Sequence, residues 1–160
     1  MTIIVTGTDT DIGKTVFAAG LTAALGARYW KPVQAGLADG SDAASVVTLG
    51  VAADRVLPEA YRLTTPCSPH LAAEIDGVTI EPERLALPEV DGALVVEGAG
   101  GVMVPVTREL IFADLFARWG KPVVLVVTPS ISAARCGEHG VVSRYASGRT
   151  RSGGTPSVTT

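Results

Sequence analysis

Lys14 and Thr15 stand side by side immediately after Gly13, closing the run Gly7-Thr8-Asp9-Thr10-Asp11-Ile12-Gly13. Together these residue types answer the needs of a phosphate chain. Gly7 and Gly13 permit backbone conformations that turn N–H groups toward anionic oxygens. Lys14 brings a point charge to the outer phosphates, and Thr15 offers a hydroxyl to the Mg2+ that accompanies them. The run works this way only between a strand and a helix, so that the positive end of the helix faces the anion. Five residues separate the two glycines where the common phosphate-loop pattern has four, and Thr8 takes the place of the usual first glycine.

The elements around the run meet that condition. Met1–Thr6 is a short apolar run bounded by Gly7 and reads as a buried strand. From Lys14 to Leu25 the pattern is helical, with Val16, Ala19 and Ala23 on one stripe, Phe17, Leu21 and Ala24 beside it, and Gly26 as the stop. Arg28–Trp30 reads as a strand ended by Lys31-Pro32. Ser41 caps a helix running to Leu49. Thr65–Pro69 is a rigid loop leading into a helix at His70–Glu74, and Glu81–Leu87 a short helix with Pro82 in its first turn. Ala93–Glu97 is a buried strand followed by the glycine-rich stretch Gly98–Gly101. Ile111–Trp119 is an amphipathic helix closed by Gly120, and Val123–Val127 is a further strand. Apolar runs alternating with helices predict an α/β fold of the P-loop NTPase type, a parallel sheet with helices on both faces.

The chain has 160 residues, a hydrophobic fraction of 47% and a formal net charge of −3. That length suits one domain. The charge balance offers no footprint for nucleic acid or an anionic membrane. Cys67 and Cys136 are far apart, with no paired-cysteine motif, and read as free thiols. The N-terminus lacks the charged region and cleavage site of a signal peptide. The longest compact apolar run, Val123–Val127, is far short of the roughly 20 residues of a membrane helix. A cytoplasmic protein is expected.

After Pro129 the pattern changes. Residues 129–160 hold six serines, five glycines and four arginines but no leucine or phenylalanine, and no period survives. Residues 1–128 therefore read as one P-loop ATP-binding domain. Residues 129–160 read as an anomalous disordered tail, with the C-terminal part of the fold missing.

The phosphate-loop run closely resembles that of the dethiobiotin synthetases, which carry the longer spacing. Lys31-Pro32-Val33-Gln34-Ala35-Gly36 resembles the lysine loop of that family, Ser41-Asp42-Ala43 its metal-binding segment, and Glu97-Gly98-Ala99-Gly100-Gly101 its acidic strand end. Thr65-Pro66-Cys67-Ser68-Pro69-His70 is similar to its Ser-Pro-His segment. The resemblance covers about residues 1–128. It implies closure of a ureido ring on 7,8-diaminononanoate with CO2 and ATP, through a carbamate and a carbamic-phosphoric anhydride, by a homodimer with the diamine near the subunit boundary. Gly7, Thr8, Asp9, Asp11, Ile12, Gly13, Lys14, Thr15, Glu97, Gly98, Ala99 and Gly100 would bind the nucleotide. Lys14 and Lys31 would spread positive charge over the reacting groups. Thr10 and Asp11 would stand near the amines. Thr15, Asp42 and Glu97 are hard oxygen donors suited to Mg2+.

Each residue also has a plainer reading. Lys31 would be a solvated lysine at a strand end, and Asp42 a support for a helix N-terminus. Glu97 resists such a reading, because an acid closing an apolar strand bears a desolvation cost unless a cation pairs with it. Two departures from the family stand out. Ala35 occupies a position expected to carry a hydroxyl. The Asn-His pair that opens the helix after the Val123–Val127 strand is absent, as is asparagine from the whole chain. A truncation or reading-frame change near residue 130 is expected. The competing functions are a cobyrinate-diamide-synthase-like amide ligase, an inactive ATP-binding fragment, and a partition ATPase, whose early loop lysine is here Asp9.

Overall fold

A computed structural model describes residues 1–38, 40–127 and 143–145. The strands are β1 (Thr2–Gly7), β2 (Arg28–Trp30), β3 (Val33–Ala35), β4 (Tyr61–Leu63), β5 (Leu94–Gly101), β6 (Val123–Val126) and β7 (Ser143–Tyr145). The helices are α1 (Lys14–Leu25), α2 (Asp42–Thr48), α3 (Pro69–Asp76) and α4 (Phe112–Trp119), with short 3-10 turns at Ala53–Arg55 and Pro82–Leu85.

The main sheet has the order β2-β5-β1-β6-β7. β1 lies parallel to both β5 and β6, and β2 parallel to β5. This is the expected parallel α/β sheet, extended by β7, which pairs antiparallel with β6. Successive residues of the buried strands face opposite layers. Ile4, Leu94 and Val96 pack with α3 and α4 through Ala72, Phe112, Leu115 and Phe116. Val5, Val95 and Tyr29 pack with α1 and α2 through Ala18, Ala19 and Val46. Both faces are covered, which is why the strands read as unbroken apolar runs.

Several local readings are revised. The buried face of α1 is Lys14, Ala18, Ala19 and Thr22, whereas Val16 is 63% exposed. Small side chains let this helix lie close to the sheet, and Lys14 faces the strand ends rather than solvent. The glycine stretch after Glu97 is strand, not loop. β5 continues to Gly101, which pairs with Gly7 across a register shift. A Cβ on Gly98 would lie 2.9 Å from the Phe116 ring, and one on Gly101 would lie 2.8 Å from the Thr8 carbonyl oxygen. These glycines permit close packing of the last part of β5 against α4 and the start of the loop.

The lysine loop contains strand β3, which pairs in parallel with β4 in a separate two-stranded sheet. At three residues each, neither has a period long enough to read. The helix expected at Glu81–Leu87 is a single 3-10 turn, Pro82–Leu85. Ser41 does cap α2, accepting the Ala44 N–H at 3.2 Å. The disordered tail expected at 129–160 falls, apart from the strand Ser143–Tyr145, outside the described residues, as does Cys136. Among the described residues no helix is long and apolar enough to cross a membrane.

Candidate functional site

β1 hands the chain to the phosphate loop in the middle of the sheet. The turn is held from both sides: Val102 N–H donates to the Gly7 carbonyl at 2.8 Å, and Thr8 N–H donates to the Val126 carbonyl at 3.3 Å. A Cβ on Gly7 would lie 2.3 Å from the Ile12 side chain. A larger residue at position 7 would have to displace the Ile12 side chain where the loop folds back over its own entrance. Asp9 Oδ1 accepts the Thr10 N–H at 2.8 Å. Asp11 takes the left-handed conformation at φ 54°, and Gly13 follows at φ 90°. Gly13 caps α1 without a side-chain hydrogen bond, which leaves the first helical N–H groups facing the loop.

A cavity of about 770 Å3 opens beyond the carboxyl ends of β1, β2 and β5. Ligands of open parallel sheets bind at this end. The phosphate loop contributes Thr10, Asp11, Gly13, Lys14 and Thr15 to its wall. Lys31, Gln34, Ala35 and Gly36 come from the lysine segment, Asp42 from α2, Glu97, Ala99 and Gly100 from β5, and Pro66–Pro69 from the loop before α3.

Four of the singled-out side chains meet at one point. Thr15 Oγ1 lies 2.8 Å from Glu97 Oε1 and 3.2 Å from Asp42 Oδ1, so its single proton can serve either carboxylate. The Lys31 ammonium pairs with Asp42 Oδ2 and lies 3.5 Å from Glu97 Oε1. Glu97 is fully buried and Lys31 only 4% exposed. The cation that a buried Glu97 requires is thus Lys31. Lys14 donates to the Asp9 carbonyl. Burial, and then the neighbouring Lys31 charge, hold the Lys14 pKa below its ordinary value. An anion arriving beside Lys14 would offset both effects.

Gly7, Thr8, Asp9, Ile12 and Gly98 do not line the cavity. Gly7 shapes the loop entrance, and Gly98 is buried against Phe116. Two residues not singled out from the sequence are part of the arrangement. Gln34 accepts the Asp42 N–H at 3.1 Å and donates to the Gly36 carbonyl at 3.0 Å, which ties the lysine segment to the start of α2. Tyr29 donates its hydroxyl to Glu97 Oε2 at 2.8 Å. Burial first, and then the Glu97 charge, raise the Tyr29 pKa well above its ordinary value, so the phenol keeps its proton. Gln34 adjoins the segment Lys31–Gly36 and was legible as a neighbour. Tyr29 sits beside Trp30 in the short strand β2 and reads as core.

Residues 1–135 match a family described as an AAA domain. The chain is 68% identical over 124 residues to a protein of Rhodopseudomonas palustris strain HaA2 named ATP-dependent dethiobiotin synthetase BioD, a match covering 77% of this chain and 58% of the relative. It is 64% identical over 130 residues to a protein of the same name from strain TIE-1, covering 81% of this chain and 61% of that relative. A protein of Nitrobacter hamburgensis, also so named, is 65% identical over 124 residues, with 77% and 58% covered. The chain therefore spans about three-fifths of the length of these curated relatives.

Proposed function

The chain belongs to the AAA domain family that matches residues 1–135, and from that premise we propose that its cavity binds ATP and Mg2+ for the dethiobiotin synthesis after which its relatives are named, by ring closure on 7,8-diaminononanoate with CO2. One observation carries this reading: Thr15, Lys31, Asp42 and Glu97 converge beside Lys14 at the carboxyl end of the sheet.

The residues divide the work by charge. Lys14 and the first N–H groups of α1 hold the outer phosphates. Thr15, Asp42 and Glu97 supply only oxygen, and one hydroxyl lies within hydrogen-bond distance of both carboxylates. This donor set fits Mg2+, which when bound neutralises phosphate charge. Lys31, paired with Asp42 and Glu97, adds positive charge for the developing anions. Thr10 and Asp11 lie at the cavity wall, and in this reading they serve the substrate amines.

One amine captures CO2 and loses a proton to give the carbamate. A carbamate oxygen attacks the γ-phosphorus and releases ADP. The second amine attacks the resulting anhydride carbon, phosphate leaves, and the ring closes. A homodimer with the diamine near the subunit boundary belongs to the same reading.

The test is incorporation of labelled bicarbonate by the purified 160-residue chain. The expected result is acid-stable label in a cyclic product that requires both ATP and the diamine. Nucleotide binding without incorporation would favour a second reading, a nucleotide-binding unit without turnover, in line with the partial coverage of the relatives. Label uptake independent of the diamine would favour another amide-forming ligase.

A further inference from the structure

Glu97 is fully buried, and its two oxygens have different neighbours. Oε1 faces the Thr15 hydroxyl at 2.8 Å and the Lys31 ammonium at 3.5 Å. Oε2 accepts the Tyr29 hydroxyl at 2.8 Å. Tyr29 itself is fully buried and does not line the cavity. Its ring packs in the core layer of Val5, Ala18, Ala19, Val46 and Val95.

We propose that Tyr29 is a positioning residue for the cation site: its hydroxyl fixes the rotation of the Glu97 carboxylate so that Oε1 stays directed at Thr15 and the cavity. The inference rests on the assignment of Glu97 as a Mg2+ ligand made above. A buried carboxylate oxygen without a donor is costly, and a terminal carboxylate torsion is soft. With the phenol in place, one orientation satisfies both oxygens. Without it, rotation would bring either oxygen toward Lys31 and Thr15 and leave the other bare. The phenol is well suited to this task. It reaches Glu97 from a neighbouring strand, across the β2–β5 pairing in which Tyr29 stands opposite Val95. Its ring is locked by packing, so little freedom is lost in making the bond. Partners that orient a metal ligand in this way change metal affinity by about 10–100-fold when removed.

The experiment is a Mn2+ titration of the full chain with ADP, followed by electron paramagnetic resonance of free Mn2+, for wild type, Tyr29→Phe and Tyr61→Phe. Tyr61 is another buried phenol, accepting the Glu81 N–H at 2.9 Å and outside the cavity lining. Tyr61→Phe therefore controls for loss of a core hydroxyl. ADP affinity without metal is measured on the same proteins. The expected result is a rise of tenfold or more in the Mn2+ dissociation constant for Tyr29→Phe, with metal-free ADP affinity unchanged and Tyr61→Phe like wild type. Wild-type Mn2+ affinity in Tyr29→Phe would overturn the positioning role and leave the site assignment standing. Equal weakening in both variants would show a general effect of core loosening and also overturn it. No Mn2+ binding by the wild type would overturn the cation site itself, and the role with it.

Discussion

Glu97 is buried inside the sheet, where Lys31, Thr15 and Tyr29 all reach its carboxyl group. Removing one partner of such a buried pair leaves the other uncompensated, at a cost of about 3–5 kcal/mol. Lys31→Met should therefore lower the urea unfolding free energy by about that amount, and Lys31→Met combined with Glu97→Gln should restore most of it. An additive double variant would show that the two do not act as a pair. Ala35 lines the cavity where a hydroxyl is expected. One added hydrogen bond to a charged group is worth about 1.5–3 kcal/mol. Ala35→Ser should thus tighten diamine binding by tenfold or more, and unchanged affinity would show that position 35 does not touch the diamine. The structure brings Lys14, Thr15, Lys31, Asp42 and Glu97 together; Lys14, Thr15 and Glu97 stand out in the sequence by type and by position beside a strand or helix end, and Lys31 and Asp42 through the resemblance of their segments. Tyr29 did not stand out, because a tyrosine beside a tryptophan in a short strand signals packing, and its hydroxyl matters only once β2 lies against β5.

The loop Pro66–Pro69 forms one wall of the cavity, and α3 holds it in place. Asp76, at the last position of α3, accepts the Thr65 hydroxyl at 2.6 Å, the Thr64 hydroxyl at 3.0 Å and the Thr64 N–H at 2.5 Å. These bonds, led by that of Thr65, hold its carboxyl below the ordinary value of 3.8. The folded state thus binds the proton less readily than the unfolded chain. The stability contributed is complete above 3.8 and is lost as pH falls through the lower folded value. Asp76→Ala should flatten the acid limb of the melting temperature against pH and raise protease cleavage near Thr65. An unchanged acid limb would show that the clamp does not form. The long strands and α1, α2 and α4 were legible, because apolar runs and caps are local signals. Strands β3 and β4 were not, since short strands are defined by their pairing. The phase of α1 was misread because its apolar residues run nearly all round the helix, and burial of Lys14 against the strand ends decides which side faces inward.

The described residues bring a phosphate loop, two lysines and two carboxylates to one end of one parallel sheet. The composition changes after Pro129, and the matches to the dethiobiotin synthetases of strains HaA2 and TIE-1 run over 124 and 130 of the 160 residues. Reading the source DNA in all three frames across the codons for Val127–Thr160 tests the proposed frame change. A frame restoring an Asn-His helix start would support it, and the absence of one in every frame would count against it. The most direct test of the site is calorimetric titration of ATP into the 160-residue chain, with and without Mg2+. A single saturable site is expected, tightened by Mg2+, weakened at least tenfold in Lys14→Ala, and no longer responsive to Mg2+ in Glu97→Gln. Binding that is absent, or that survives Lys14→Ala unchanged, would contradict it.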